Sequence, residues 1–305
     1  MGKAGVPRYD PVPIGEVASP PFARLPEPRT LFRQRAERFL ALSAGHKLGP
    51  YLRFLGELAG LQHGIEDGLP EPELPSEIAR QRAREFAMPP LDRNDALAGG
   101  AFEVTFGQLV HRSDSIDMPQ AARAALASLR NRDAGSRKAM ARAVLENAIP
   151  PDRVAEHVFA AAALQLHYAR LAARLNAASL VPVGDGACPC CGGPPAISLI
   201  VGWTGARKTR FCACSVCATL WNYVRIKCVL CGATSGIGYQ EIENTNAAIK
   251  AETCNSCRAY VKILHQYKDP TLDPIADDVA SLGLDMLMSA AGYRRGGVNP
   301  FIHGY

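Results

Sequence analysis

All ten cysteines of this 305-residue chain lie between Cys188 and Cys257, and eight of them form four Cys-x-x-Cys pairs. The pairs are Cys188/Cys191, Cys214/Cys217, Cys228/Cys231 and Cys254/Cys257. Residues 192–213 separate the first two and residues 232–253 the last two, 22 residues each time, so one module is written twice. Two thiolates three positions apart on a tight turn present sulfur to one ion at about 2.3 Å, and a second such knuckle completes a tetrahedron. Gly192 and Gly232 follow the first and third pairs. A glycine there takes the positive φ that lets backbone amides point at sulfur. The equal gaps favour closure within each module over a union of the first knuckle with the third.

Modules this small fold on the ion as much as on a core, as rubredoxin-like or zinc-ribbon units. The first module spans 187–226, with strands expected at 197–201 and 210–213. The second spans 227–268, with strands at 237–242 and 248–252. Disulfides are the competing use of the cysteines, and they need an oxidising compartment. Residues 1–29 hold seven prolines and no apolar h-region. They read as a disordered or extended leader rather than a secretory signal, and the chain is expected in the cytoplasm. No apolar run of about 18 residues is present, so no membrane span is expected.

The net charge is +5. Between Cys188 and Cys257 stand Arg207, Lys208, Arg210, Arg225, Lys227 and Lys250 against Glu241, Glu243 and Glu252. A divalent ion with four thiolates carries a charge of about −2. These basic residues are therefore expected to balance thiolate charge, with 207–210 left as a local basic loop.

Ahead of the cysteines the chain reads as helical from 30 to 180. A helix over 30–45 starts at Thr30 as cap, and a second over 51–61 pairs with it as a hairpin across Gly45, Gly49 and Pro50. A short helix is expected over 76–86, irregular chain over 87–101, and helices over 119–131 and 136–147. The best marked begins after Pro150-Pro151 and runs to about 178, with a stripe of Leu164, Tyr168, Leu171 and Leu175. Beyond the modules, 273–305 reads as a helix and tail that pack back on them. Asp273 caps that helix, Pro274 follows, Asp277 and Asp278 lie at the positive end of its dipole, and Gly292 closes it. Ile275, Val279, Leu282 and Met286 form its expected buried stripe. The fold class is thus α+β: a helical domain, two tandem four-cysteine modules and a C-terminal helix.

The combination CPCCGGPPAIS at 188, CSVCATLWNYVRIKCVLCG at 214, AETCNSCRAYVKIL at 251 and DPIADDVASLGLDMLM…GYRRGGVNPF from 273 resembles the FdhE family, accessory proteins of respiratory formate dehydrogenases. The resemblance covers about 188–301, and Leu220 departs from it where similar sequences carry an acidic residue. It implies a cytoplasmic partner of the catalytic subunit of a molybdenum or tungsten formate dehydrogenase, engaged before twin-arginine export. It also implies a rubredoxin-like iron site, with zinc as the alternative occupant, and a role in maturation rather than turnover. Carried onto this chain, the ligands are Cys188, Cys191, Cys214, Cys217, Cys228, Cys231, Cys254 and Cys257.

Other features of the sequence each have a functional and a plainer reading. Cys190 and Cys212 are either a thiol pair beside the metal or small buried hydrophobes, the second being the commoner use. Cys190 in place of Cys191 as ligand breaks the two-residue gap of the other knuckles. Trp221 and Tyr223 beside Arg225 and Lys227 read as a hydrophobic shield for a thiolate centre. The other reading is a stacking surface in a zinc-ribbon nucleic-acid-binding protein. The seven histidines, His46, His63, His111, His157, His167, His265 and His303, show no metal spacing. No Ser-His-Asp set, P-loop or dinucleotide fingerprint occurs, so an enzyme is not expected. A homodimer is compatible with this reading.

Overall fold

The computed structural model describes residues 19–93, 95–97, 99–243 and 247–302. The leader before residue 19 and His303 lie outside them. Ala23–Arg24 forms β1, an edge strand, so this end of the leader is extended. Helix α1 (Pro28–Ser43) starts on a proline two residues before the expected cap, and the Thr30 hydroxyl instead donates to the Glu27 carbonyl. It packs on α2 (Gly49–Glu66), which runs a turn past its expected end. Ser76 Oγ caps α3 (Glu77–Glu85) by accepting from Ala79 N.

Helix α4 (Gly100–Arg112) was not expected, yet Phe102, Phe106 and Leu109 on it are fully buried. Helices α5 (Gln120–Arg130) and α6 (Ala134–Leu145) follow, the second capped by Asp133. Helices α1, α2, α4, α5 and α6 surround α7 (Val154–Ala173), which ends before Leu175. No face of α7 from Val158 to Ala169 meets solvent, so it is a central helix rather than an amphipathic one. The alanines Ala160 to Ala163 let neighbouring helices approach it closely.

Module one contributes β2 (Pro195–Ile200), β3 (Arg210–Cys214) and β4 (Leu220–Asn222). Module two contributes β5 (Ile237–Gln240), β6 (Ile249–Cys254) and β7 (Ala259–Leu264). Strands β4 and β7 add a third strand to each expected pair. The modules are not separate ribbons: β2 and β7 pair in parallel, Ser198 opposite Ile263, giving the order β1-β4-β3-β2-β7-β6-β5.

The tail is two helices, α8 (Ala276–Ala280) and α9 (Leu282–Ala290), broken at Ser281, whose hydroxyl donates to the Asp277 carbonyl. The break turns α9 so that Leu284 and Met288 are buried and Met286 is exposed, contrary to the expected stripe. Asp273 caps α8 by accepting from Ile275 N and Ala276 N, and Gly292 closes α9 at φ +77°. Asp277 and Asp278 do more than meet a dipole. Asp277 takes a two-pronged ion pair from Arg38, and Asp278 meets Lys262 and Arg295 in full burial. Strand β8 (Arg294–Arg295) then pairs with β7. The tail is thereby tied to α1 on one side and to the sheet on the other.

Candidate metal centres

The four knuckles close within modules. Cys188, Cys191, Cys214 and Cys217 bring their sulfurs within 4.8 Å of one another, and so do Cys228, Cys231, Cys254 and Cys257. In the first group the Cys188–Cys217 and Cys191–Cys214 sulfurs are 3.5 Å apart. In the second, Cys228–Cys257 are 3.9 Å apart and Cys231–Cys254 3.7 Å. A tetrahedron with bonds of about 2.3 Å has edges of about 3.8 Å, so both groups fit one tetrahedral ion. Thiolate donors suit zinc or iron. Among the described residues no histidine or carboxylate joins either group.

The knuckles are built alike. Cys188 N donates to Gly193 O and Gly192 N to Cys188 O; Cys228 N donates to Ala233 O and Gly232 N to Cys228 O. Gly192 and Gly232 have φ of +71° and +75°, as the sequence suggested. The return knuckles use the same left-handed backbone without glycine, at Ala218 and Arg258. Val216 N and Cys217 N both donate to Cys214 Sγ at 3.5 Å. These amides are partners that favour a thiolate.

The two centres differ in exposure. Every sulfur residue of the first is buried, whereas Cys231 is exposed and Cys257 half-buried in the second. Within the first group the thiols share protons unequally. Burial pushes Cys188 well up, while hydrogen bonds from Cys188, Cys214 and Cys217 hold Cys191 well below the usual thiol range.

Three of the six basic residues expected to balance the sulfurs meet carboxylates instead. Arg210 pairs with Glu252 at 2.8 Å, Lys250 with Glu241 at 2.8 Å, and Lys227 with Asp185 at 2.7 Å. A cation beside the first centre is Arg93, from the irregular chain before α4, which donates to Leu145 O at 2.6 Å and lies close to Cys191 and Cys214. Burial opposes its charge, but the Cys191 and Cys214 thiolates prevail and raise its pKa. A Cβ at Gly193 would overlap the Arg93 guanidinium, so a side chain there would push that cation aside. The same stretch covers the knuckle further, with Leu91 N donating to Cys190 O at 2.9 Å. From the other side, Gln165 of α7 donates to Ser215 O at 2.8 Å.

Cys190 and Cys212 have different neighbours. Cys190 lies against Cys188 and Cys217, and hydrogen bonds from them draw its pKa to about 5. Cys212 sits 3.8 Å from Ser198 Oγ, and burial raises it to about 11. Trp221 is buried opposite Ala23, and the ring of Tyr223 carries Arg210 and Lys227 on its faces. With Trp221 inside and Lys227 paired with Asp185, the nucleic-acid surface loses two of its expected contacts.

Three family descriptions match the chain between residues 20 and 302: "FdhE, N-terminal" over residues 20–185, "FdhE, central domain" over 187–225 and "FdhE, C-terminal domain" over 226–302. An FdhE homolog of Rhizobium meliloti is 44% identical over 97% of both chains. One from Pseudomonas aeruginosa is 35% identical over 90% of this chain and 91% of its own. The crystal structure of the FdhE protein from Pseudomonas aeruginosa superposes with a TM-score of 0.83 at 34% identity, covering 93% of this chain and 99% of that one.

Proposed function

The chain belongs to the FdhE family, and on that premise we propose that it is an accessory protein in the assembly or activation of a respiratory formate dehydrogenase. It binds the enzyme's catalytic subunit in the cytoplasm, before twin-arginine export, and acts as a chaperone of maturation rather than as a catalyst. The observation that carries this reading is the likeness along the whole chain, at 44% identity over 97% of a relative. In support, no helix among the described residues is long and apolar enough to cross a membrane.

In this reading Cys188, Cys191, Cys214 and Cys217 hold one ion, and Cys228, Cys231, Cys254 and Cys257 a second. Residues 30–180 form the helical unit, 187–226 and 227–268 the metal modules, and 273–305 the tail that ties them together. Iron is the proposed occupant and zinc the alternative. Bound iron would supply one-electron redox chemistry with little change of geometry. The chain's own part is to fix the sulfurs on rigid knuckles, to place Arg93 beside Cys191 and to keep water from the first centre.

The test is capture of the tagged chain without oxygen from cells making formate dehydrogenase, with metal measured on the same sample. Retention of the catalytic subunit is expected, with two metal equivalents per chain. Its absence from the captured material contradicts the accessory role, and zinc alone in both centres contradicts the redox part.

A further inference from the structure

The two modules end their cysteine sets on the same backbone. The last cysteine of each is followed by a residue in the left-handed region, Ala218 at φ +57° and Arg258 at φ +52°. The chain then turns back on the cysteine that opened the knuckle. Cys214 N donates to Thr219 O at 3.0 Å, and Cys254 stands opposite Ala259 in the ladder of β6 and β7. Thr219 and Ala259 thus hold the same place in two copies of one unit, both inside the protein. One carries a hydroxyl and the other does not.

That hydroxyl meets a ligand sulfur. Thr219 Oγ1 lies 3.2 Å from Cys217 Sγ, and both residues are fully buried. A buried hydroxyl without a partner costs free energy, so this contact has to be kept when the centre is filled. A sulfur that holds an ion is a thiolate and has no proton to give. In the filled centre the Thr219 hydroxyl is therefore the donor and the Cys217 sulfur the acceptor. Val216 N and Cys217 N already serve Cys214 from the backbone of the same knuckle. Such amides come with the turn, whereas a side-chain donor is set by the sequence. Partners of this kind orient metal ligands and tune what they hold.

We propose that Thr219 is a positioning residue of the first centre, its hydroxyl donating to the Cys217 thiolate, and that alanine at the matching place leaves the second centre without this donor. The proposal rests on the reading that Cys188, Cys191, Cys214 and Cys217 hold an ion. It deepens that reading by making two repeated centres chemically unequal.

The test uses the full chain loaded with zinc and, in parallel, with cobalt, whose sulfur-to-metal absorption reports on the thiolates. Thr219→Val removes the hydroxyl and keeps the shape, Thr219→Ala removes it without bulk, and Thr219→Ser keeps it. With a chromogenic chelator, the slow phase of zinc release should quicken about tenfold in the first two variants and stay near the wild type in the third. The fast phase, from the group containing exposed Cys231, is the internal reference and should not move. The cobalt absorption should shift to longer wavelength in the valine and alanine variants, because a sulfur without its donor holds its electrons less tightly, and should not shift with serine. Circular dichroism checks that the variants fold. An unchanged slow phase and spectrum in the valine and alanine variants overturns the proposal. So does a serine variant altered as much as they are, which would make Thr219 a packing residue. A wild type that binds one ion alone, with no slow phase, refutes the first group as a metal site and takes the proposal with it.

Discussion

Arg210 of the first module and Glu252 of the second form an ion pair of 2.8 Å in which both side chains are buried. Arg210 also donates to Ser198 Oγ, and Glu252 accepts from the Tyr239 hydroxyl at 3.2 Å, so the charges sit in a polar network beneath the shared sheet. This pair and the parallel contact of β2 with β7 make one body of two repeated units. Removing one partner strands a buried charge, at a cost of about 3–5 kcal/mol. Arg210→Met or Glu252→Leu alone should therefore lower the thermal midpoint steeply, and the double variant should recover much of the loss. A double variant as unstable as the sum of the singles would mean that the pair is not a unit.

The centres should release metal at different rates. With a chromogenic chelator, release is expected in two phases, the fast one from the group containing exposed Cys231 and the slow one from the buried group. Cys231→Ser should remove the fast phase alone. A single phase for both ions would contradict the difference in burial.

Arg93→Gln takes away the guanidinium beside Cys191 and Cys214. Outer partners of metal ligands typically matter by about 10–100-fold in affinity. The slow phase of release should quicken by a factor in that range while the fast phase stays put. An unchanged slow phase would remove Arg93 from the electrostatics of the centre.

His167 is neutral in the fold, its pKa lowered by burial from 6.5 to about 4. A histidine with a depressed folded-state pKa adds stability that is present above its unfolded value. That stability is lost as pH falls from about 6.5 toward 4, on the order of 3 kcal/mol in all. His167→Gln should flatten the fall of the thermal midpoint across that window. An equally steep fall in the variant would assign the acid sensitivity elsewhere.

The two four-cysteine groups were legible because their signal is local: cysteine spacing and the glycine after a knuckle act within a few residues. Most helices were legible through period and caps. Helix α4 was hidden because Gly99 and Gly100 read as breakers, although Phe102, Phe106, Leu109 and Val110 keep helical spacing behind them. Helix α7 looked striped because alanine counts little in a pattern, yet it is buried all round. Partnerships distant in sequence left no local trace. Arg93 reaches Cys191 from an irregular stretch, Arg38 reaches Asp277 from the first helix, and Lys262 is buried in β7 with Asp278 and Asp285 for partners. Charges that looked like counterions to sulfur had nearer carboxylates to meet.

The accessory role is tested most directly by formate dehydrogenase activity in membranes of a strain that lacks this chain. The activity should be lost, restored by the wild-type chain, and not restored by Cys188→Ser with Cys228→Ser, which breaks both centres. Full activity without the chain would contradict the account.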